Sequence, residues 1–300
     1  MTNVAHRTAV SHPSFHDYFE LCKPRVVGLM LVTSTVAMIL ATPAHEWPSL
    51  HVLLWGNLGI AFAGFAGGII NHLVDRHIDQ LMARTKKRPL PSGRVPVSHA
   101  ILLAIILACV SMFILITCIN MLTAVLSFLT LIGYAGVYTL YLKHATPQNI
   151  VIGGLAGAMP PLLGWVAVTH HIDAAGLLLV LIIFTWTPPH FWALAIYRYK
   201  EYAKASIPML PVTHGIRFTK LSILLYTLLM VAATYLPFII MMSGLIYLIG
   251  VSLLNIIFLY YAIALYRHDE PRLAFQTFKF SIYYLFTLFI LLLADHYLRY

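Results

Sequence analysis

Charged residues are scarce in this sequence. Asp, Glu, Lys and Arg together make up 10% of its 300 residues, and only 10 residues are acidic. Soluble domains carry about 25% charged and about 45–50% apolar residues, whereas this chain is 60% hydrophobic. So large an apolar surplus along the whole chain excludes an ordinary soluble domain, and lipid is the expected solvent.

Cysteine is also rare, since the chain has three: Cys22, Cys109 and Cys118. Their spacing matches neither a Cys-x-x-Cys pair nor another zinc-site pattern, so we expect reduced thiols packed in helices. The polar N-terminal stretch lacks the apolar segment and small-residue cleavage site of a secretory signal. These absences argue against a disulfide-stabilised secreted domain and against a cysteine-based metal centre.

Long apolar runs, in contrast, are abundant. Runs of about twenty apolar residues cross a hydrocarbon core of about 30 Å as helices, because lipid offers no partner for unpaired backbone groups. The runs lack the alternation typical of a β-barrel. We therefore predict an all-α integral membrane protein, with a cytoplasmic segment at 1–25 and a single transmembrane domain at 26–300. About nine helices are expected, near residues 26–43, 51–72, 98–118, 121–141, 150–169, 175–196, 221–241, 244–266 and 277–296.

The distribution of basic residues predicts the orientation. With nine spans and a cytoplasmic N-terminus, all of the 19 Lys and Arg residues except Arg299 fall on the inner side. Enrichment of these residues is typical of cytoplasmic loops. The net charge of +9 is thus explained by topology, and we expect no nucleic-acid partner.

The densest group of charges follows the second predicted span. Asn71, Asp75 and Asp79 recur every four residues, so they form one slowly winding stripe on a helix; we call these three residues the acidic stripe. Their oxygens suit Mg²⁺, which commonly binds one or two carboxylates together with substrate phosphates. The pattern favours a metal–diphosphate site, with a capped or solvated helix end as the alternative. The bases that follow suit phosphate oxygens and are Arg84, Lys86, Lys87 and Arg88.

Several stretches carry a family resemblance. The sequence resembles the UbiA superfamily of membrane prenyltransferases, whose first acidic motif has the pattern Asn-x₃-Asp-x₃-Asp. Two of the stretches, "TPPHFWALA" and "IPMLP", make it similar to the haem-modifying branch of that superfamily. The stretches are "KPRV" at 23–26, "NHLVDRHIDQLMARTKKRPLPSG" at 71–93, "PPLLGW" at 160–165, "TWTPPHFWALAIYR" at 185–198 and "YAKASIPMLPV" at 202–212.

The resemblance implies a UbiA-type helical bundle and a reaction. Asn71, Asp75 and Asp79 would hold Mg²⁺ and, through it, the diphosphate of farnesyl diphosphate. A vinyl group of haem B would accept the farnesyl group and water would add, giving haem O for a terminal oxidase. Haem B is then a substrate and Mg²⁺ the cofactor. The setting implied is the cell inner (plasma) membrane with its lipid, active-site loops on the cytoplasmic side, and contact with haem A synthase or terminal oxidase assembly.

A second acidic motif usually follows span six in this superfamily, and the matching region is poor in acids. Glu201 is the acid present there, and we expect it to be a site residue, with a surface acid paired to neighbouring lysines as the alternative. Basic residues beside it suit diphosphate: Arg198, Lys200 and Lys204. His190, in "TPPHFW", is expected to meet haem iron or a propionate, unless it is a hydrogen-bonded interior histidine.

Two rival functions remain open at this point. A UbiA-type transferase with an aromatic acceptor, such as a quinone precursor, would keep the acidic stripe and change the acceptor pocket. A transporter or haem-handling membrane protein without chemistry would also use many helices. The acids lie at one end of a span and not in its middle, and this position favours the enzyme.

Overall fold

The computed structural model describes residues 13–44, 46–82, 85–205 and 207–298, and in these ranges all regular structure is helical. The α-helices are α1 Phe15–Leu21, α2 Pro24–Leu40, α3 Leu50–Asp79, α4 Val97–Ile114, α5 Met121–Ile132, α6 Lys143–Ala145, α7 Asn149–Ala158, α8 Pro160–Thr169, α9 Ala174–Tyr197, α10 Tyr199–Lys204, α11 Leu210–Thr213, α12 Gly215–Ile239, α13 Leu245–Arg267 and α14 Pro271–Leu298. Two π-helical segments, π1 Leu115–Ile119 and π2 Gly133–Leu142, extend α4 and α5.

The helices confirm the predicted membrane architecture. Within the described ranges, 8 helical segments are long and apolar enough to cross a membrane, and the number is 9 if the pair α1–α2 is one broken span. This pair bends by 53° at Lys23, whose φ is 51°, and Pro24 then opens α2. Because proline has no backbone N–H to satisfy, it is favoured at this first helical position.

The third and fourth spans are separate helices, as predicted. Asn120 has an extended backbone, with φ −161° and ψ 157°, and breaks the chain between π1 and α5. Its Oδ1 accepts a hydrogen bond from the Thr123 backbone N–H at 2.8 Å. Its Nδ2 donates to the Val166 carbonyl at 3.0 Å. This side chain therefore caps α5 and ties the break to α8.

The centre of the bundle is α9. It packs against α7, α8, α12 and α14, and its Trp192 is 2% exposed. By contrast α4 turns a continuous apolar surface outward, including Ile101, Leu102 and Ile105. This contrast is what lipid as solvent predicts, since a helix at the lipid boundary needs no polar face.

The π2 segment is unusual, because π-helices rarely exceed a single turn and often occur at functional sites. A side-chain bond also spans this turn, since Thr139 Oγ1 donates to the Tyr134 carbonyl five residues earlier at 2.8 Å. One side of π2 faces α3 and the other faces α7. The segment thereby brings the C-terminal end of span four beside the end of α3 that carries the acidic stripe.

Candidate active site

The acidic stripe occupies the last turns of α3. Asn71, Asp75 and Asp79 are all buried, with exposed fractions of 5%, 3% and 4%. A solvated helix end does not describe these positions, because neighbouring segments cover all three side chains. Carboxylates are costly to bury without cationic partners, so the groups around them decide what the site can do.

Each member of the acidic stripe has a basic partner from a different segment. The Lys23 Nζ donates a short hydrogen bond to Asn71 Oδ1. The Lys143 Nζ lies 2.6 Å from Asp75 Oδ2. The Arg88 Nη1 lies 2.7 Å from Asp79 Oδ2. We call Lys23, Arg88 and Lys143 the cation set; two of its members pair with the two carboxylates and the third, Lys23, bonds the Asn71 amide.

Of the bases predicted to follow the acidic stripe, Arg88 is brought to it. Lys86 and Lys87 are exposed, and neither forms an ion pair within the described part of the chain. Arg84 lies outside the described residues. Lys23 and Lys143 had not been assigned to the diphosphate site. Two features of the sequence could have indicated them. Lys23 belongs to the quoted stretch "KPRV", and Lys143 is the one Lys or Arg between spans four and five.

The segment π2 matches α3 residue by residue. A Cβ on Gly67 would lie 3.2 Å from the Tyr134 ring. One turn further along α3, Asn71 Nδ2 lies 3.5 Å from Thr139 Oγ1, and the next turn brings Asp75 to Lys143. The three α3 residues are four positions apart. Their partners, Tyr134 and Thr139 in π2 and Lys143 at the start of α6, are five and then four positions apart, so the wide turn of π2 keeps the two segments in register.

Two tyrosines of π2 form a stacked pair. The ring centroids of Tyr134 and Tyr138 are 5.7 Å apart, with an interplanar angle of 21°. The Tyr138 ring lies flat on α7, where a Cβ added to Gly153 would be 2.0 Å from Cδ2. Only glycine fits at that position. Because Tyr134 contacts Gly67, the pair lies beside the turn of α3 that precedes Asn71.

The second loop is more open. The Glu201 side chain on α10 is 42% exposed and its Oε2 lies 3.5 Å from Arg198 Nη1. This pairing differs from the alternative of a surface acid held by its neighbouring lysines, because the partner is Arg198. Lys200 and Lys204 are exposed. The structure thus brings Arg198 and Glu201 together and leaves both lysines in solvent.

His190 is an interior residue of α9, 9% exposed. Its Nδ1 lies 2.6 Å from Ser281 Oγ on α14, and its ring stacks on Trp186 with centroids 4.3 Å apart. The hydroxyl fixes the ring orientation and leaves Nε2 as the nitrogen for any further ligand. Histidines that bind metals commonly have their other ring nitrogen held in this way.

The donor set of the acidic stripe fits Mg²⁺. Asp75 Oδ1 is buried and has no hydrogen-bond partner, which leaves one carboxylate oxygen available to an ion. Among the described residues no three His, Cys, Asp or Glu side chains converge. An ion at the acidic stripe would therefore be held by two carboxylates, an amide oxygen and substrate oxygens, the kind of incomplete protein shell that Mg²⁺ tolerates.

Two open pockets lie elsewhere on the surface. One of about 410 Å³ lies at the turn between α13 and α14, beside Arg267 and His268. Another of about 340 Å³ lies beside Trp165 and His296. Neither contains a residue of the acidic stripe.

This helical bundle, with a buried carboxylate stripe at the end of one span, defines the class of protein. The sequence matches the UbiA prenyltransferase family over residues 30–291. The chain therefore belongs to this family and is a membrane prenyltransferase. In solved structures, the fold is similar to that of a digeranylgeranylglyceryl phosphate synthase, with a TM-score of 0.80 and 20% identity over 94% of this chain and 98% of that one.

A second fold neighbour is a UbiA homologue from Archaeoglobus fulgidus bound to DMAPP and Mg²⁺. Its TM-score is 0.67 at 18% identity, over 92% of this chain and 99% of that one. Both similarities concern the fold alone. They confirm that the helices form a UbiA-type bundle.

Relatives with much higher identity specify the branch. The protoheme IX farnesyltransferase of Legionella pneumophila (strain Lens) is 62% identical over 283 residues, 94% of this chain and 96% of that protein. The protoheme IX farnesyltransferase of Marinobacter nauticus is 59% identical over 291 residues, 97% of this chain and 95% of that protein. The similarity to the haem-modifying branch is thereby confirmed.

Proposed function

We propose that this prenyltransferase transfers the farnesyl group of farnesyl diphosphate to a vinyl group of haem B. Water then adds to the cation that this transfer leaves on the former vinyl group, giving haem O, and diphosphate is released. The observation that carries the proposal is the buried acidic stripe with its cation set, in a chain whose full-length relatives are named protoheme IX farnesyltransferase. The site supplies ligands for a metal and counter-charges for a diphosphate in one place.

The residues of the site then act by exchanging partners. Asn71, Asp75 and Asp79 would hold Mg²⁺, which supplies Lewis-acid stabilisation of the leaving diphosphate. When the substrate binds, the cation set turns from the acidic stripe to the phosphate oxygens. Because the three basic side chains already lie at the acidic stripe, this exchange needs only short movements.

The bonds that change are those of the substrates. The C1–O bond of farnesyl diphosphate breaks and its electron pair leaves with the diphosphate. The terminal vinyl carbon of haem B supplies the electron pair for the new C–C bond to farnesyl C1. Positive charge then lies on the vinyl carbon next to the porphyrin, and water adds there with loss of a proton. Burial of the acidic stripe keeps water from the allylic cation until haem has reacted.

The aromatic pair Tyr134–Tyr138 suits the allylic group. Its Tyr134 ring lies against Gly67, one helical turn before Asn71 on α3. A prenyl chain whose diphosphate is at the acidic stripe would therefore pass it first. Aromatic faces attract cations by about 0.5–2 kcal/mol, so this pair would favour charge at C1.

The remaining predicted residues complete the proposal. His190 would bind haem through Nε2, with Ser281 holding its ring.

Glu201 and Arg198 would approach the diphosphate from the second loop, helped by Lys200 and Lys204. The first loop would attract the diphosphate through Arg84, Lys86 and Lys87. The acidic stripe would face the cytoplasm from the plasma membrane, where haem O passes to haem A synthase or oxidase assembly.

A product assay tests the function. Purified protein would receive haem B, farnesyl diphosphate and Mg²⁺, with haem O detected by mass. We expect haem O from the native protein and at least a hundredfold less, an order-of-magnitude figure for lost electrostatic catalysis, from Asp75→Asn. Prenylation of an aromatic acid instead would show that haem B is not the acceptor. Haem binding without prenyl transfer would show that the protein does not catalyse the proposed reaction.

A further inference from the structure

We propose that Arg94 is a positioning residue for the prenyl diphosphate. It ties together two separate segments, one carrying Lys23 and the other carrying Arg88, while its own described contacts include no residue of the acidic stripe. The inference deepens the proposed function and rests on it, since it assumes that the acidic stripe receives a diphosphate.

The first segment held by Arg94 is α1. Its Nη1 forms a short ion pair with Asp17 Oδ1, and its Nη2 lies 3.4 Å from Glu20 Oε2. The other oxygen of Asp17 accepts hydrogen bonds from Ser14 N at 2.9 Å and Ser14 Oγ at 2.7 Å. One guanidinium thus contacts both turns of α1, and α1 is closed at its start by a capping box.

The chain runs from α1 directly into Lys23. The Cys22 carbonyl would lie 3.3 Å from a Cβ on Gly68, so the joint is pressed against α3 one turn before Asn71. Lys23 has a φ of 51°, a left-handed backbone that costs free energy for a non-glycine residue. The position of α1 therefore sets the direction from which the Lys23 ammonium reaches Asn71, and α1 is held by its contacts with Arg94.

The second segment is the loop that follows α3. Arg94 Nη2 donates to the Lys87 carbonyl at 2.7 Å, and Arg94 Nε donates to Ser92 Oγ at 3.1 Å. The same Ser92 hydroxyl donates to the Arg88 carbonyl at 2.7 Å. The guanidinium therefore holds the backbone on both sides of the Arg88 α-carbon, one side directly and the other through Ser92.

This arrangement uses the planar fork of an arginine side chain, which has five donors in fixed directions. Lys23 and Arg88 must move their side chains from the acidic stripe to a diphosphate while their backbones stay in place. Arg94 restrains both backbones during that exchange. Its loss would raise the cost of ordering the two cations and so weaken substrate binding, leaving bond breaking itself almost unchanged.

The experiment compares Arg94→Ala with the native protein in lipid nanodiscs. Calorimetric titration gives the affinity for farnesyl diphosphate with Mg²⁺, and assays with haem B give KM and kcat. We expect Kd and KM to rise about tenfold, a change of about 1.4 kcal/mol, with kcat changed less than about twofold. Arg94→Lys should recover part of the loss. Arg272→Ala is the matched control, because Arg272 is exposed and forms no ion pair within the described residues.

A double-mutant cycle separates positioning from general stability. If Arg94 acts through Lys23 and Arg88, Arg94→Ala should weaken binding much less in a Lys23→Ala, Arg88→Ala background than in the native one. Should Arg94→Ala unfold the protein, Glu20→Gln removes one contact and should raise Kd about twofold to threefold. Additive effects, or a fall in kcat at unchanged affinity, would overturn the positioning role.

The same measurements distinguish this inference from the proposed function. If the native protein binds farnesyl diphosphate and yields no haem O, the proposal that haem B is the acceptor is wrong. A tenfold weaker binding of farnesyl diphosphate in Arg94→Ala would still support the positioning role of Arg94. Native protein that binds no prenyl diphosphate would overturn both.

Discussion

The Lys143 ammonium lies 2.6 Å from Asp75 Oδ2, while Oδ1 of the same carboxylate is buried without a hydrogen-bond partner. One oxygen of Asp75 is thus neutralised and the other is left for a ligand. The two residues are 68 positions apart in sequence: Asp75 lies near the end of span two and Lys143 directly follows span four. Their pairing links the stability of the bundle to the chemistry of the site.

We first predict that Lys143→Met destabilises the protein. Removing one partner of a buried pair leaves an unpaired charge and costs about 3–5 kcal/mol, and the thermal midpoint in detergent would show it. The double variant Lys143→Met with Asp75→Leu should regain most of this stability and remain inactive. Equal stability of the native protein and Lys143→Met would contradict the ion pair.

A second prediction concerns the glycines of α7. Gly153→Ala would place a Cβ 2.0 Å from the Tyr138 ring, and such overpacking costs about 1–3 kcal/mol. We expect a lower thermal midpoint and reduced prenyl transfer, because the tyrosine pair must shift. The control is Gly157→Ala, on the same helix, where an added Cβ meets nothing within 4 Å; it should be neutral or slightly stabilising. Identical behaviour of the two variants would rule out the close contact.

Metal dependence provides a third prediction. Asp79→Asn should raise the Mg²⁺ concentration needed for half-maximal prenyl transfer at least about tenfold, since the loss of a metal-site group typically costs 10–100-fold in affinity. Chelation should stop the native reaction, and added Mg²⁺ should restore it. An unchanged Mg²⁺ titration in Asp79→Asn would remove this residue from the metal site.

Glu201 should matter less than Asp75. Its side chain is 42% exposed, so solvent screens part of its charge, although the Oε2 that lies 3.5 Å from Arg198 Nη1 is itself buried. We expect Glu201→Gln to raise KM for farnesyl diphosphate less than about tenfold, whereas Asp75→Asn abolishes turnover. Steady-state kinetics on both variants makes the comparison, and equal losses would show that the second loop is as important as the first.

The haem role of His190 predicts a spectroscopic change. Replacing it by alanine should shift the Soret band of bound haem B, because Nε2 would no longer reach the iron or its surroundings. Ser281→Ala keeps the imidazole and removes its restraint at 2.6 Å, so a smaller shift is expected. A band that is unaltered in His190→Ala, with a lower thermal midpoint, would assign the residue to packing alone.

Local spacing predicted the acidic stripe well, because residues four apart on a helix share a face whatever surrounds them. The basic partners depended on tertiary structure: Lys23 and Asn71 are 48 positions apart. Their contact requires the bend between α1 and α2 and the packing of that bend on Gly68. Likewise, nothing in the run from Gly133 to Leu142 indicated a π-helix, in which the backbone hydrogen bonds span five residues and not four.

The cation set has a consequence for how this protein is made. Two carboxylates face Lys23, Arg88 and Lys143. The end of α3 that carries the acidic stripe therefore has no uncompensated negative charge before any metal or substrate binds. The newly inserted chain can therefore reach its final helix arrangement without waiting for a divalent ion. On the proposed function, assembly in the bilayer and loading of the site with Mg²⁺ would therefore be separate events.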